Sequence, residues 1–137
     1  MELSTLLIIT ALFIAFRIYQ SRRAASTPIM SHGKVIDIDN DVIFKALRST
    51  GPVFIDFYAT WCGPCKAVAP MIGELSEQYE NIRFLQVDVD KMRDIAMEYD
   101  VTAMPTFVLL KDGEPVGLPI KGANLPAIKA ALADISA

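Results

Sequence analysis

The sequence predicts an α/β domain. A central mixed β-sheet is flanked by helices in the order βαβαβαββα, and an apolar N-terminal helix precedes it. Three observations carry that prediction. From Lys34 to Tyr99, short strand-like apolar runs alternate with stretches of helical spacing, which implies parallel strands joined by crossover helices. After Thr106, strand-like runs lie on either side of Asp112-Gly113, a hairpin turn signal that adds antiparallel strands. The length of 137 residues suits one domain with a modest core. No internal repeat or low-complexity tract interrupts this order.

The N-terminus stands apart. Leu3 to Phe16 is an uncharged apolar run, and Ile18 and Tyr19 extend it if Arg17 snorkels. About 17 helical residues reach roughly 25 Å, the short end for a membrane span. No polar face alternates with the apolar one, which argues against a core helix. Residues 1–19 therefore read as an anchor or targeting segment, residues 20–33 as a flexible linker, and residues 34–137 as the domain. An anchor over residues 3–19, followed by Arg17, Arg22 and Arg23, places the domain in the cytosol. It is similar to mitochondrial outer-membrane anchors. The alternatives are mitochondrial import, secretion, or a soluble cytoplasmic form starting at Met30. His32, the single histidine, reads as a linker residue.

Apolar residues make up 53% of the chain, with the excess at its start. Formal charge is −3. Residues 1–29 carry three arginines and one glutamate, so the remainder carries −5. An acidic domain without a basic stripe is a poor nucleic-acid binder.

Element by element, Val35 to Ile38 has strand composition. Asp39 or Asn40 can cap a helix from Asp41 to about Ser49, with Val42, Ile43, Ala46 and Leu47 on one face. Pro52 to Tyr58 is almost continuously apolar and reads as the buried central strand. Lys66 to Tyr79 has helical spacing and buries Val68, Met71, Ile72, Leu75 and Tyr79. Pro70 inside it should bend it. Ile82 to Val89 is a strand. Asp90 can cap a helix from Lys91 to Tyr99. Thr106 to Leu110 is a strand, and Pro115 to Lys121 a short irregular edge strand. Asn124 caps a terminal helix through Ile135, with Ile128, Leu132 and Ile135 inward. Met71, Met92 and Met97 read as core, and Asp88 and Asp90 as solvated loop acids.

The chemistry centres on Trp61-Cys62-Gly63-Pro64-Cys65, which holds both cysteines. A Cys-x-x-Cys at a strand-to-helix junction is a redox signal. Cys62 sits where unpaired backbone N–H groups favour negative charge, which lowers the thiol pKa and populates the nucleophilic thiolate. Cys65 is close enough on the opening turn to close a small disulfide. Zinc would need about four ligands, and no second cysteine pair exists. Cys62 is the attacking thiol and Cys65 the resolving one. Pro64 removes a backbone N–H that would otherwise stabilise the thiolate, so Gly63-Pro64 favours a reductant. Asp56 is a lone carboxylate in an apolar strand. Spacing alone leaves it as either a base for Cys65, its pKa raised by desolvation, or a strand residue facing solvent.

Trp61-Cys62-Gly63-Pro64-Cys65-Lys66 resembles the active site of the thioredoxin family. Asp56, six residues before Cys62, matches the family's buried carboxylate, and Pro70 its helix proline. Met104-Pro105-Thr106 resembles the cis-proline loop, Lys111-Asp112-Gly113-Glu114 the last hairpin turn, and Gly122 the groove glycine. The resemblance covers Lys34 to Ala137. It implies a thioredoxin fold and a protein-disulfide reductase with no bound cofactor. Its working group would be a redox-active Cys62–Cys65 disulfide, its partners disulfide-containing client proteins, and its electron source NADPH through a thioredoxin reductase. It implies that Asp56 is the general base for Cys65, acting through a water. It also implies that Pro105 is cis and that Trp61, Met104, Pro105, Thr106, Gly122 and Ala123 bind substrate. Three features depart from the family. Gln86 stands where many members have a lysine near the buried aspartate. The stretch Pro115 to Lys121 is about one residue longer. The N-terminal segment is extra. A redox-independent binding module and an exported oxidase or isomerase are the alternative functions.

Overall fold

The computed structural model describes residues 2–25 and 33–137, with side chains described over residues 4–19 and 33–137. Its elements are α1 (Glu2–Ala25), β1 (Val35–Ile38), α2 (Asp41–Arg48), β2 (Pro52–Tyr58), α3 (Gly63–Gln78) and β3 (Arg83–Asp88). They continue with α4 (Arg93–Glu98), β4 (Thr106–Lys111), β5 (Glu114–Pro115), β6 (Ile120–Lys121) and α5 (Leu125–Ser136). The sheet order is β1-β3-β2-β4-β5, with β6 also on β4. β1, β3 and β2 run parallel, and β4 lies antiparallel to β2, to β5 and to β6. The mixed sheet follows the expected order, and the irregular stretch after Gly113 resolves into two two-residue strands.

Both faces of the sheet are covered, which is why the central strands are apolar at nearly every position. Phe54, Phe84, Phe107 and Leu109 pack under Val68, Ile72 and Leu75 of α3 and Ile128, Leu132 and Ile135 of α5. On the other face Val53, Ile55, Phe57, Leu85, Val87, Val108 and Leu110 pack with Phe44 of α2 and Ile95 of α4. Asp56 is two residues from Phe54 and so shares the face that α3 covers. The structure thus settles what alternation in the sequence left open.

Three expectations about side-chain placement are corrected. α2 turns inward through Phe44, which is fully buried, with Leu47 beside it. Val42 and Ile43 are 73% and 47% exposed. The i, i+3 pair of Phe44 and Leu47 fixes the inward face, and the larger aromatic area outweighs the two β-branched residues before it. Met71 and Met97 are exposed, and only Met92 packs against the core. Asp88 is 3% exposed. Its carboxylate accepts from Asp90 N–H at 2.9 Å. Asp90 therefore belongs to a turn and caps no helix; α4 starts later, at Arg93, without a side-chain cap. The caps expected at Asn40 and Asn124 form, the first accepting from Val42 and Ile43 N–H and the second from Ala127 N–H.

α1 runs past Tyr19 to Ala25, and its described apolar side chains are exposed. Among the described residues no helix is long and apolar enough to cross a membrane. The span expected over residues 3–19 is therefore not shown. Met30 and His32 lie outside the described residues, with most of the expected linker. Its last residue, Gly33, adopts φ +93° against α3, and a Cβ there would sit 2.3 Å from Gly73 O. Lys34 N–H donates to Ser76 Oγ at 2.8 Å. This anchored start of β1 is level with the beginning of β2 and β3, so it lies at the opposite end of the sheet from Cys62.

Candidate active site

The site forms where β2 ends and α3 begins. Cys62 is the N-cap of α3, with extended backbone at φ −84° and ψ 112°. Its Sγ accepts from Cys65 N–H at 3.2 Å. A sulfur at this position faces the unpaired N–H groups of the first turn, which favour negative charge. Pro64 fits the opening turn because its missing donor would have had no partner there. Cys62 and Cys65 form a disulfide, with Cα atoms 5.3 Å apart. α3 starts three residues earlier than its apolar spacing suggested, which places both cysteines on it or at its cap. Tyr58, Ala59, Cys62, Cys65 and Ala69 form a small buried cluster, and Val89 and Met104 pack against it. Gly63 and Pro64 are exposed, whereas Cys62 and Cys65 are buried.

Asp56 lies on β2, on the face that α3 covers. It is buried, and its Oδ1 has no hydrogen-bond partner among the described residues. Burial alone raises its pKa from 3.8 to about 7. Gln86 is its register partner on β3, and both are buried. Gln86 Nε2 donates to Asp37 Oδ1 at 3.4 Å, and Tyr58 OH reaches the same oxygen at 3.5 Å. Burial pushes the Tyr58 hydroxyl upward, helped by the negative charges of Asp37, Asp88 and Asp56. This polar row of Asp37, Gln86 and Tyr58 was not picked out from the sequence. It takes one residue from each of β1, β3 and β2, so no pattern within a single strand signals it.

The second half of the site comes from the loop before β4. The Met104–Pro105 peptide is cis, as the resemblance implied. Pro105 O accepts from Gly122 N–H at 2.8 Å, which brings Gly122 and the exposed Ala123 to this loop. Gly122 has φ +81°, and a Cβ there would meet nothing within 4 Å. Thr106 is buried, and its hydroxyl donates to Ala103 O at 2.6 Å. Among the described residues no three His, Cys, Asp or Glu side chains converge to hold a metal ion.

The family model named Thioredoxin matches residues 34–134. The chain belongs to the thioredoxin family. It is similar to thioredoxin Asp f 28 of Aspergillus fumigatus, at 59% identity over 108 residues, 79% of this chain and all of that one. It is 44% identical over 106 residues to the mitochondrial thioredoxin-3 of Saccharomyces cerevisiae, covering 77% of this chain and 83% of that one. Among solved structures, thioredoxin NaTrxh from Nicotiana alata matches with a TM-score of 0.73 at 33% identity, over 77% of this chain and 96% of that one. The crystal structure of oxidised yeast mitochondrial thioredoxin 3 matches with a TM-score of 0.69 at 46% identity, over 73% and 94%. The protein is thus a thiol–disulfide oxidoreductase whose working group is the Cys62–Cys65 pair.

In this thioredoxin Trp61 is 61% exposed. Its indole is tied to the turn after β3, where Asp90 accepts from Nε1 at 2.9 Å. The sequence reads Asp90 as a cap or a solvated loop acid and gives no sign of this bond, because it joins residues 29 apart. Only the pattern Asp88-x-Asp90 hinted at an acid-lined turn.

Proposed function

We propose that this thioredoxin is a general protein-disulfide reductase in which Cys62 attacks, Cys65 resolves and Asp56 is the base. The supporting observations are the Cys62–Cys65 pair at the start of α3 and a buried carboxylate, Asp56, on the face of β2 that α3 covers. In the reduced form, the Cys62 thiolate attacks one sulfur of a client disulfide. A mixed disulfide forms, and the client's other sulfur leaves as a thiolate. Asp56 takes the Cys65 proton through a water. A carboxyl with a pKa near 7 suits that task at neutral pH. The Cys65 thiolate then attacks Cys62 Sγ and releases the second client thiolate. Two electrons have passed to the client, and Cys62–Cys65 is left oxidised. NADPH, through a flavin-dependent thioredoxin reductase, restores the dithiol. Gly63 and Pro64 set the poise toward reduction. Trp61, Met104, Gly122 and Ala123 form the client-facing surface, while the buried Pro105 and Thr106 shape the loop behind it.

We place the redox domain at residues 34–137, behind a targeting or tethering segment (1–19) and a linker (20–33). The exposed apolar side chains of α1 support a role in placement rather than catalysis. One relative carries the word mitochondrial in its name, which supports mitochondria as one compartment; a soluble cytoplasmic form is the other. Protease protection on isolated organelles separates these from an exported domain.

Insulin reduction tests the function. The wild-type chain reduces insulin with an NADPH-driven reductase, and Cys62→Ser abolishes it. Retention of cellular function by Cys62→Ser would instead favour a binding module.

A further inference from the structure

Beside Met104 lies an open depression of about 310 Å³, lined by Val89, Arg93, Ala96, Met97, Val101, Thr102 and Met104. Val89 and Met104 also pack against the cysteine cluster, so the depression is continuous with the redox site. Its lining is apolar apart from Thr102 and one charge, Arg93. No hydrogen bond or ion pair engages the Arg93 side chain among the described residues. Arg93 is also the first residue of α4, where a cation opposes the helix dipole. The helix gains nothing from it, and a residue that breaks a local rule invites a functional account. Asp94, the next residue, and Asp90, engaged with the Trp61 indole, do not line the depression.

From this we infer that the depression selects client segments placing an apolar side chain in it and a carboxylate at its rim, against Arg93. The inference rests on the reductase reading above and specifies the client class. It runs against the domain's net charge of −5, which on its own would disfavour acidic clients. The local cation therefore acts as a discriminator. An exposed ion pair is worth roughly 0.2–1 kcal/mol, so the preference should be about 2- to 5-fold.

The test uses the full chain, reduced and freed of excess thiol. Single-turnover oxidation rates are measured with matched disulfide peptides that differ only in Glu or Lys beside an apolar residue next to the disulfide. Uncharged hydroxyethyl disulfide serves as the control. The wild type should react about 2- to 5-fold faster with the Glu peptide. That ratio should fall to about 1 or below in Arg93→Gln and lower still in Arg93→Glu, and the wild-type preference should shrink in high salt. Rates with hydroxyethyl disulfide should stay within about 2-fold in all three proteins. An unchanged peptide ratio in both variants, with the control disulfide still reduced, overturns the selection and leaves the reductase function standing. Failure to reduce any disulfide overturns both.

Discussion

The Trp61 indole donates to the Asp90 carboxylate at 2.9 Å, and this bond joins the turn before α3 to the turn after β3. It holds an exposed aromatic plate beside the nucleophile. A rigid plate costs a client less ordering entropy than a mobile one.

Asp90→Ala should therefore lower kcat/KM for protein disulfides by about 3- to 10-fold, since a hydrogen bond to a charged group is worth roughly 1.5–3 kcal/mol at most and less when exposed. Reduction of a small uncharged disulfide should change by less than about 2-fold. Equal losses on both substrates would place the effect on the chemistry and not on docking.

Asp56 makes a signed prediction about stability. Its carboxyl titrates near 7 when folded and near 3.8 otherwise. Below about pH 4 both states are protonated, and nothing is lost. Between about 4 and 7 the unfolded chain gives up a proton that the folded one keeps, so stability falls as pH rises. Asp56→Asn should be more stable than wild type at pH 8 by up to about 4 kcal/mol, with the gap closing toward pH 4. Chemical denaturation at both pH values measures it. A wild type that gains stability relative to Asp56→Asn on going from pH 4 to 8 would reverse the sign.

The same variant should separate the two chemical steps. Attack by Cys62 should proceed, while release by Cys65 slows about 100-fold at pH 7, so that a mixed disulfide with client accumulates. Non-reducing electrophoresis after a rapid acid quench displays it. Normal release kinetics would remove Asp56 from the role of base.

α2 offers a test of packing. Phe44→Ala should cost about 3–5 kcal/mol, because it empties a fully buried site between α2 and the sheet. Val42→Ala, on the exposed side, should cost no more than about 0.5 kcal/mol. Urea midpoints for the two variants suffice, and comparable losses would contradict the assigned face.

Gly33→Ala should cost at least about 1–2 kcal/mol. The new Cβ would need a left-handed backbone and would collide with Gly73 O. A change below about 0.5 kcal/mol in the urea-derived stability would show that the start of β1 is not held as described.

Much of this was legible in the chain because local chemistry and global fold agree there. Cys-Gly-Pro-Cys carries its own cap and turn residues, the strands are apolar because both faces are covered, and Asn40 and Asn124 cap the helices they precede. What escaped was of another kind. The inward face of α2 is decided by which side chain fills the space above the sheet, and that space is built by residues far along the chain. Asp88 looked solvated because acids usually are, yet its carboxylate closes a turn with Asp90. The Trp61–Asp90 bond and the Asp37–Gln86–Tyr58 row join separate strands and turns, and no spacing rule within one segment reports them. Asp56 lay between the two classes: its lone charge among apolar neighbours was visible, but its facing was settled by the register with Phe54.

The pinning of Gly33 and Lys34 at the far end of the sheet has a practical outcome. Hold this protein by its N-terminal part, on a bead, a fused partner or an organelle surface, and the disulfide points outward like a lamp on a stalk. Attachment at that end should leave bulky clients free to approach, whereas a tag placed near Trp61 would stand in their way.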